Sequence, residues 1–492
     1  MTPSTARSRT PAGRRKRRPS PLPSERAAEL RAAASRGRVR DLGPLLVALN
    51  DPVPGIRQTA AIALGILKDP RGRSVLAASL SDPEAGVRAA AAEALGAIGR
   101  GESRAALESA LDDPDAHVRA RAAQALAALA LPDSAAALAA HASDPSAEAR
   151  QSIAVALGRV GSDPAIAALR GLLRDPIDRV RREAVLGLGR SADPRLLAEV
   201  RTHLTDPARR VRVAAAVVAG RHRDRASVPL LLARLRAPES WEKPAVLIAL
   251  GRIGAPEAFP DLREAAEHPA HWLRVCAVTA LGDLAVPESR AIALAHLSDP
   301  YWSVRGAAAI ALGTVGQPDD LGPLLQRLAD EHPWPRRGAT YALGRLGLAE
   351  AAPRIREELT DPAPEIRLAA VWALGRLGDD GAREELVRLL YESRPRDGPG
   401  PGPEPAGEAG LISDAESRLF DALVQALGRL GRGAPDPLVR RALSDARDRL
   451  SEDELDRPAR LPLPEMGLDR PAPTIRALFE TALPASVDDG DG

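Results

Sequence analysis

Asp82-Pro83-Glu84-Ala85-Gly86-Val87-Arg88, closed by Ala94-Leu95-Gly96-Ala97-Ile98-Gly99, is the stretch whose reading decides the fold. The phrase returns every 31 residues. Its arginine recurs as Arg57, Arg88, Arg119, Arg150, Arg181 and Arg212 without a slip. Lys243, Arg274, Arg305, Arg336 and Arg367 hold the same phase. A fixed period of this length indicates stacked supersecondary units, each burying its apolar face on the next. The question therefore shifts from an enclosed active site to a surface.

Each repeat's proline can be counted as position 0: Pro52, Pro83, Pro114 and onward to Pro300, then Pro362. Positions 4, 8, 12 and 15 are apolar (Val87, Ala91, Leu95 and Ile98 in one repeat), which is one face of a helix. The Asp before the proline suits a turn and a helix N-terminus. Gly at position 13, and often at 16, is read as the stop; at 13 it also leaves room for a neighbouring helix. A shorter second helix follows, with Leu at position 28. The spacing predicts helix starts near position 2, a break near position 16 and no strand. The fold expected is all-α, an α-solenoid of about twelve 31-residue two-helix repeats.

The solenoid is expected over 24–450, with Ser24 capping a first helix that runs to Ser35. Residues 1–23 form a basic, Pro- and Ser-rich tail whose composition predicts disorder. Arg14-Arg15-Lys16-Arg17-Arg18 lies in it. A Gly/Pro-rich insertion at about 393–413 puts the twelfth repeat out of register, its Ala-Leu-Gly ending at Gly428. Residues 451–492 form a second tail, Pro-rich with acidic runs. Within it 474–483 has the pattern of a short amphipathic helix. The formal net charge is +2, and the N-terminal tail supplies more than that, so the body is net acidic. Such a body is not a general polyanion binder. Cys276 is the only cysteine, so no intrachain disulfide forms. Neither a membrane span nor a secretory signal is present in the pattern, and a cytoplasmic location is expected.

The unit Asp-Pro-x-x-x-Val-Arg-x-x-Ala-Ala-x-Ala-Leu-Gly-x-Ile-Gly resembles the HEAT repeat. Its length and Ala-Leu-Gly ending are similar to the phycobilisome-lyase-like subfamily, over about four-fifths of the chain. The resemblance implies an armadillo/HEAT-type superhelix. It also implies that the Asp and Arg of successive repeats form a hydrogen-bonded ladder, and that the helix after Asp-Pro lines the inner face. Deoxyhypusine hydroxylase resembles the repeat too, but holds its metal through His-Glu pairs, and no His-Glu dipeptide occurs here. No motif of the HEAT-like DNA glycosylases is matched beyond helix pairs.

The aromatic residues are concentrated between 241 and 372. Trp241, Trp272 and Trp334 share position 3, Trp302 is at position 2, and Tyr341 and Trp372 share position 10. Positions 3, 7, 10 and 14 form a stripe beside the core stripe. Position 7 is small (Ala245, Cys276, Ala307, Gly338), leaving room for an approaching group. Position 14 adds Arg159, Arg190, Arg221, Arg252, Arg345 and Arg376. Aromatic and Arg side chains together have the composition of interaction hot spots. The competing reading is that the tryptophans fill gaps between repeats. Cys276 is read as a packed thiol, and His268, His271, His296 and His332 lack metal-ligand spacing.

These residues predict a non-catalytic scaffold that binds a protein partner along the concave face, with no cofactor and no metal. It could act alone or as half of a heterodimer. One alternative is a lyase or chaperone-type subunit acting on a chromophore-bearing protein. Another is nucleic-acid binding, through the basic tail alone.

Overall fold

A computed structural model describes residues 23–35, 42–99, 101–191, 193–237, 241–392, 409–430 and 437–447. The basic run 14–18, the 393–408 part of the insertion and the 474–483 segment lie outside the described residues. Every regular element among the described residues is an α-helix or a short 3-10 turn. The chain is an α-solenoid that divides into two compact units, Met1–Ala165 and Ile166–Gly492.

In the first unit the first helices of successive repeats are Pro54–Leu67, Ala85–Ile98, Ala116–Leu129 and Ala147–Val160. Each begins at position 2, ends at position 15 and packs along the next. The short helices Arg73–Ser79, Arg104–Ser109 and Ala135–Ala140 return the chain on the other side. Val87, Ala91 and Leu95 are buried, as the core stripe requires. A helix Pro23–Ser35 precedes the repeats. In the second unit the series continues as Asp178–Leu188, Arg209–Arg221, Lys243–Ile253, His271–Leu284, Trp302–Val315, Pro333–Leu346 and Pro364–Leu377. Ala409–Leu430 completes it, and so takes in the last residues of the expected insertion.

The helix stop sits at position 16. There the backbone turns left-handed, at Gly99 (φ 76) and also at Lys68, Ala130, Arg223 and Ala285. Gly is the residue best suited to that conformation, so the four substitutes carry a small strain. Position 13 plays another part, which corrects the expectation that its glycine ends the helix. Of the described first helices all but one run straight through it; Asp178–Leu188 stops there, at Gly189. A Cβ on Gly96 would lie 2.7 Å from Ala125 Cα, and one on Gly251 would lie 2.6 Å from Ala280 Cα. The glycine lets consecutive first helices touch backbone to backbone.

The Asp–Arg ladder is present in both units. Arg57 forks onto Asp82 through Nε and Nη2, at 2.7 and 2.8 Å. Arg88 meets Asp113 and Arg119 meets Asp144 in the same way. In the second unit the pairs are Arg181–Asp206, Arg274–Asp299, Arg305–Asp330 and Arg336–Asp361. Each arginine also ties its own repeat, as when Arg88 Nη1 donates to the Asp82 carbonyl at 2.9 Å. Each aspartate accepts from the backbone two residues on, as Asp82 does from Glu84 N at 2.9 Å. The Arg57 fork holds the Asp82 carboxyl below its ordinary range.

The ladder is rewired in the seventh repeat, where Ala237 stands in place of Asp. Its first helix starts late, at Lys243. Glu242 turns in instead. Its buried carboxylate accepts from Arg212 Nε at 2.7 Å and from Arg234 Nε at 2.9 Å. Burial pushes this carboxyl up, but the two guanidiniums outweigh it and hold it at about 2. In the folded state it therefore sheds its proton well below its ordinary 4.5. The stability it contributes is complete above about 4.5 and fades as pH falls towards about 2. Glu242→Gln leaves two guanidiniums without their partner. It should cost on the order of 3 kcal/mol at neutral pH. The gap to wild type should close as the pH of urea unfolding is lowered through that window.

Candidate partner-binding face

In the second unit, positions 3, 7, 10 and 14 of the first helices share a face open to solvent. Val217 and Ile310, at position 10, are each 36% exposed. Asp283 holds position 14, where the repeat before it has Arg252. Its side chain is open to solvent, yet the surrounding protein desolvates it and pushes its carboxyl up, against the pull of Arg252, Arg345 and Arg223. Arg252 is one repeat back and Arg345 two repeats on.

The aromatic residues divide into three groups. Trp241, Trp272 and Trp302 are 71%, 47% and 45% exposed. Trp334 is half-buried and packs over Gly306, where a Cβ would collide with the indole ring. The gap-filling reading therefore holds for Trp334. Tyr341 (6% exposed) and Trp372 (2%) are core residues, in a T-shaped pair with centroids 5.1 Å apart. They leave the exposed stripe for a physical reason: two large rings in adjacent repeats at position 10 cover each other. Arg337 stacks over both Trp334 and Tyr341, and Arg376 over Trp372.

Sequence reasoning missed a ring series at the helix N-termini. His271 stacks on Tyr301 at 4.3 Å, and Trp302 on His332 at 3.8 Å. Each pair joins position 2 of one repeat to position 1 of the next, a register readable from the repeat alignment. Asp283 was legible in the same way, as the acid in a column of arginines.

All six position-14 arginines are exposed. Arg159, in the first unit, donates to the Ala127 carbonyl at 3.1 Å, and Arg376 to the Gly344 carbonyl at 3.3 Å. These two tie a repeat to its predecessor. Among the described residues Arg190, Arg221, Arg252 and Arg345 form no ion pair and no side-chain hydrogen bond.

Between the helices Arg209–Arg221, Lys243–Ile253 and His271–Leu284 lies an open pocket of about 290 Å³. Val217, Pro244, Ala245 and Ile248 form its apolar wall, and Arg252 and Cys276 complete the lining. Its lining draws on positions 7, 10 and 14, where small side chains leave the space. Trp272 stands one turn before Cys276 on the same helix face. Burial pushes the Cys276 thiol up, which makes it a poor nucleophile. Among the described residues no three His, Cys, Asp or Glu side chains are gathered as a metal site needs. No described helix is long and apolar enough to cross a membrane.

The family profile for HEAT repeats matches residues 16–96, 74–157, 139–219, 197–275, 266–344 and 322–397. The chain belongs to the HEAT-repeat family. Among solved structures, yeast importin-β is similar in fold at TM-score 0.51 and 14% identity, covering 87% of this chain and 68% of that one. The CpcE–CpcF phycocyanin lyase complex of Nostoc gives TM-score 0.35 and 22% identity, covering 50% of this chain and 93% of that one. Kap121p, a karyopherin, gives 0.49 and 13%, covering 84% and 55%. No curated protein matches the sequence.

Burial separates the roles of these HEAT-repeat aromatics. Trp372→Ala should cost about 3–5 kcal/mol, as core aromatic truncations do. Trp241→Ala should stay within about 0.5 kcal/mol. Urea unfolding of the two variants tests the assignment. A second titrating group lies off this face. Glu358 has one buried carboxylate oxygen without a hydrogen-bond partner. Burial, with Asp361 nearby, pushes its carboxyl up from 4.5 to about 7. The folded state thus holds the proton more tightly than the unfolded chain. Stability should fall as pH rises from about 4.5 to about 7. Glu358→Gln should raise the melting temperature at pH 8 and leave it nearly unchanged at pH 4.5.

Proposed function

We propose that this HEAT-repeat protein is a non-catalytic scaffold that grips a segment of a protein partner along the concave face of its second unit. The observation that carries this reading is the juxtaposition of exposed, unpaired arginines with an open apolar pocket. The ladder arginines are matched closely to carboxylates, whereas Arg190, Arg221, Arg252 and Arg345 stand exposed at position 14 without an ion pair. Guanidinium groups present a planar fork that suits carboxylates. The pocket suits an apolar side chain. A partner segment with acidic residues beside a bulky apolar one meets both demands. Trp272 and Trp302 add rigid, half-exposed contact area of the kind that dominates binding energy. Tyr341 and Trp372 support the face from the core, and Arg159 and Arg376 act as ties within the stack.

Replacing Trp272 and Trp302 with Ala and Arg252 with Glu should abolish capture of the partner by the purified protein from its native lysate, while helicity and melting temperature persist. Capture that survives these changes would remove this face as the binding surface. A reduced melting temperature with unchanged capture per folded molecule would make the residues structural.

A further inference from the structure

The partner reading leaves one question of chemistry, which is what fills the apolar pocket when no partner is present. The sequence after the last described helix, Pro437–Arg447, contains a candidate. In 451–492 acidic residues outnumber arginines by ten to four, and there is no lysine. Inside it, Thr474-Ile-Arg-Ala-Leu-Phe-Glu-Thr-Ala-Leu483 places Ile475, Leu478, Phe479, Ala482 and Leu483 on one helical face. Glu480 follows Phe479 directly. Ten residues bounded by Pro473 and Pro484 are too few for a stable isolated helix in water.

We infer that the pocket lined by Val217, Ile248, Arg252 and Cys276 is the seat of the chain's own 474–483 segment, which occupies the partner-binding face until a partner displaces it. The regulatory part of this inference rests on the proposed scaffold function. Three observations support the occupant. The first is charge: the segment belongs to an acidic stretch, Arg252 lines the pocket without an ion pair, and Arg190 and Arg221 are exposed and without an ion pair at the same position of the two preceding repeats. The second is shape: a pocket of about 290 Å³ takes one bulky side chain such as Phe479. The third is reach. Between Arg447 and Thr474 the chain has the length to extend about 90 Å. First helices stacked at about 8–10 Å put the pocket roughly 50 Å from the last repeat.

Cys276 makes the test direct, since it is the only thiol in the chain and it lines the pocket. The measurement is the rate of Cys276 alkylation by iodoacetamide, followed by mass spectrometry on the full chain. A full-length Leu478→Asp/Phe479→Asp variant should react about tenfold faster at unchanged melting temperature. A synthetic peptide of residues 474–492, added to that variant, should restore the slow rate. Adding Arg252→Glu to the variant should cancel the protection. Equal rates in wild type and variant, with no effect of the peptide, would overturn the inference. A lowered melting temperature in the variant would overturn it too, by making the segment a cap on the last repeat. Protection that survives Arg252→Glu would place the peptide elsewhere. The scaffold reading is judged separately: if the thiol is equally open in both chains while the Trp272, Trp302 and Arg252 changes still abolish capture, only the tail falls.

Discussion

The arginine at position 5 is the interaction on which the rest of the structure depends. It bonds three ways at once. Its fork closes on the aspartate of the following repeat, and its remaining Nη reaches the carbonyl of its own repeat's aspartate. That aspartate in turn caps the backbone of the helix behind it. A single side chain thus fixes the turn, the start of the first helix and the offset to the next repeat. These pairs are largely buried, so removing one partner is far costlier than the pair itself is stabilising. Arg305 and Asp330 are both about 9% exposed, which leaves no room for water to take over from either. The seventh repeat shows how strong the constraint is. With Ala237 in place of Asp, the arginine before it is not left alone. Glu242 is drawn in from five positions later, and the helix gives up its first residues to permit this.

Close helix contact is the second constraint, and it shapes the functional face. Position 13 glycine lies against position 11 alanine of the next repeat, so the first helices meet at their backbones. No side chain separates them on that line. The side chains flanking it, at positions 7, 10 and 14, are then carried outward onto the open face. Where they are small, as at Ala245 and Cys276, a pocket opens. Where position 10 is large in two successive repeats, as at Tyr341 and Trp372, the rings close over each other and the face is sealed. Pocket and seal arise from one geometry with different residue sizes.

The sequence carried the period, helix limits and ladder because each is a local signal repeated many times. Position 2 starts and position 16 stops recur in nearly every unit. The glycines at position 13 were harder, because a glycine near a helix end reads equally well as a stop or as a contact. Only the distance from Gly96 to Ala125 separates the two. The site was legible as a stripe but not as a surface. Trp241 and Trp334 share a position, yet one stands in water and the other lies on Gly306. The difference comes from the neighbouring repeat, where a glycine at position 6 opens a slot for one ring. Burial of Trp372 likewise depends on Tyr341 in the repeat before it. Such pairings are set between repeats, while periodicity is read within them.

Charge gives the last step. Arginine is nearly the only cation in this chain, and most arginines on the ladder have a carboxylate assigned by geometry. An ion pair of that kind is a local, saturable match: one fork, one carboxylate. The open face of the second unit breaks the matching. Arg252 and Arg345, both exposed, act on a single acid, Asp283, which is itself pushed towards its neutral form by the protein around it. A face with more guanidinium than carboxylate, next to an apolar hollow, favours an occupant that supplies the missing negative charge and removes the hollow from water. Either half alone would bind weakly, since exposed ion pairs contribute little and an isolated pocket buries little area. Held together on one rigid stack, they select a ligand in which an apolar side chain and an acid are neighbours.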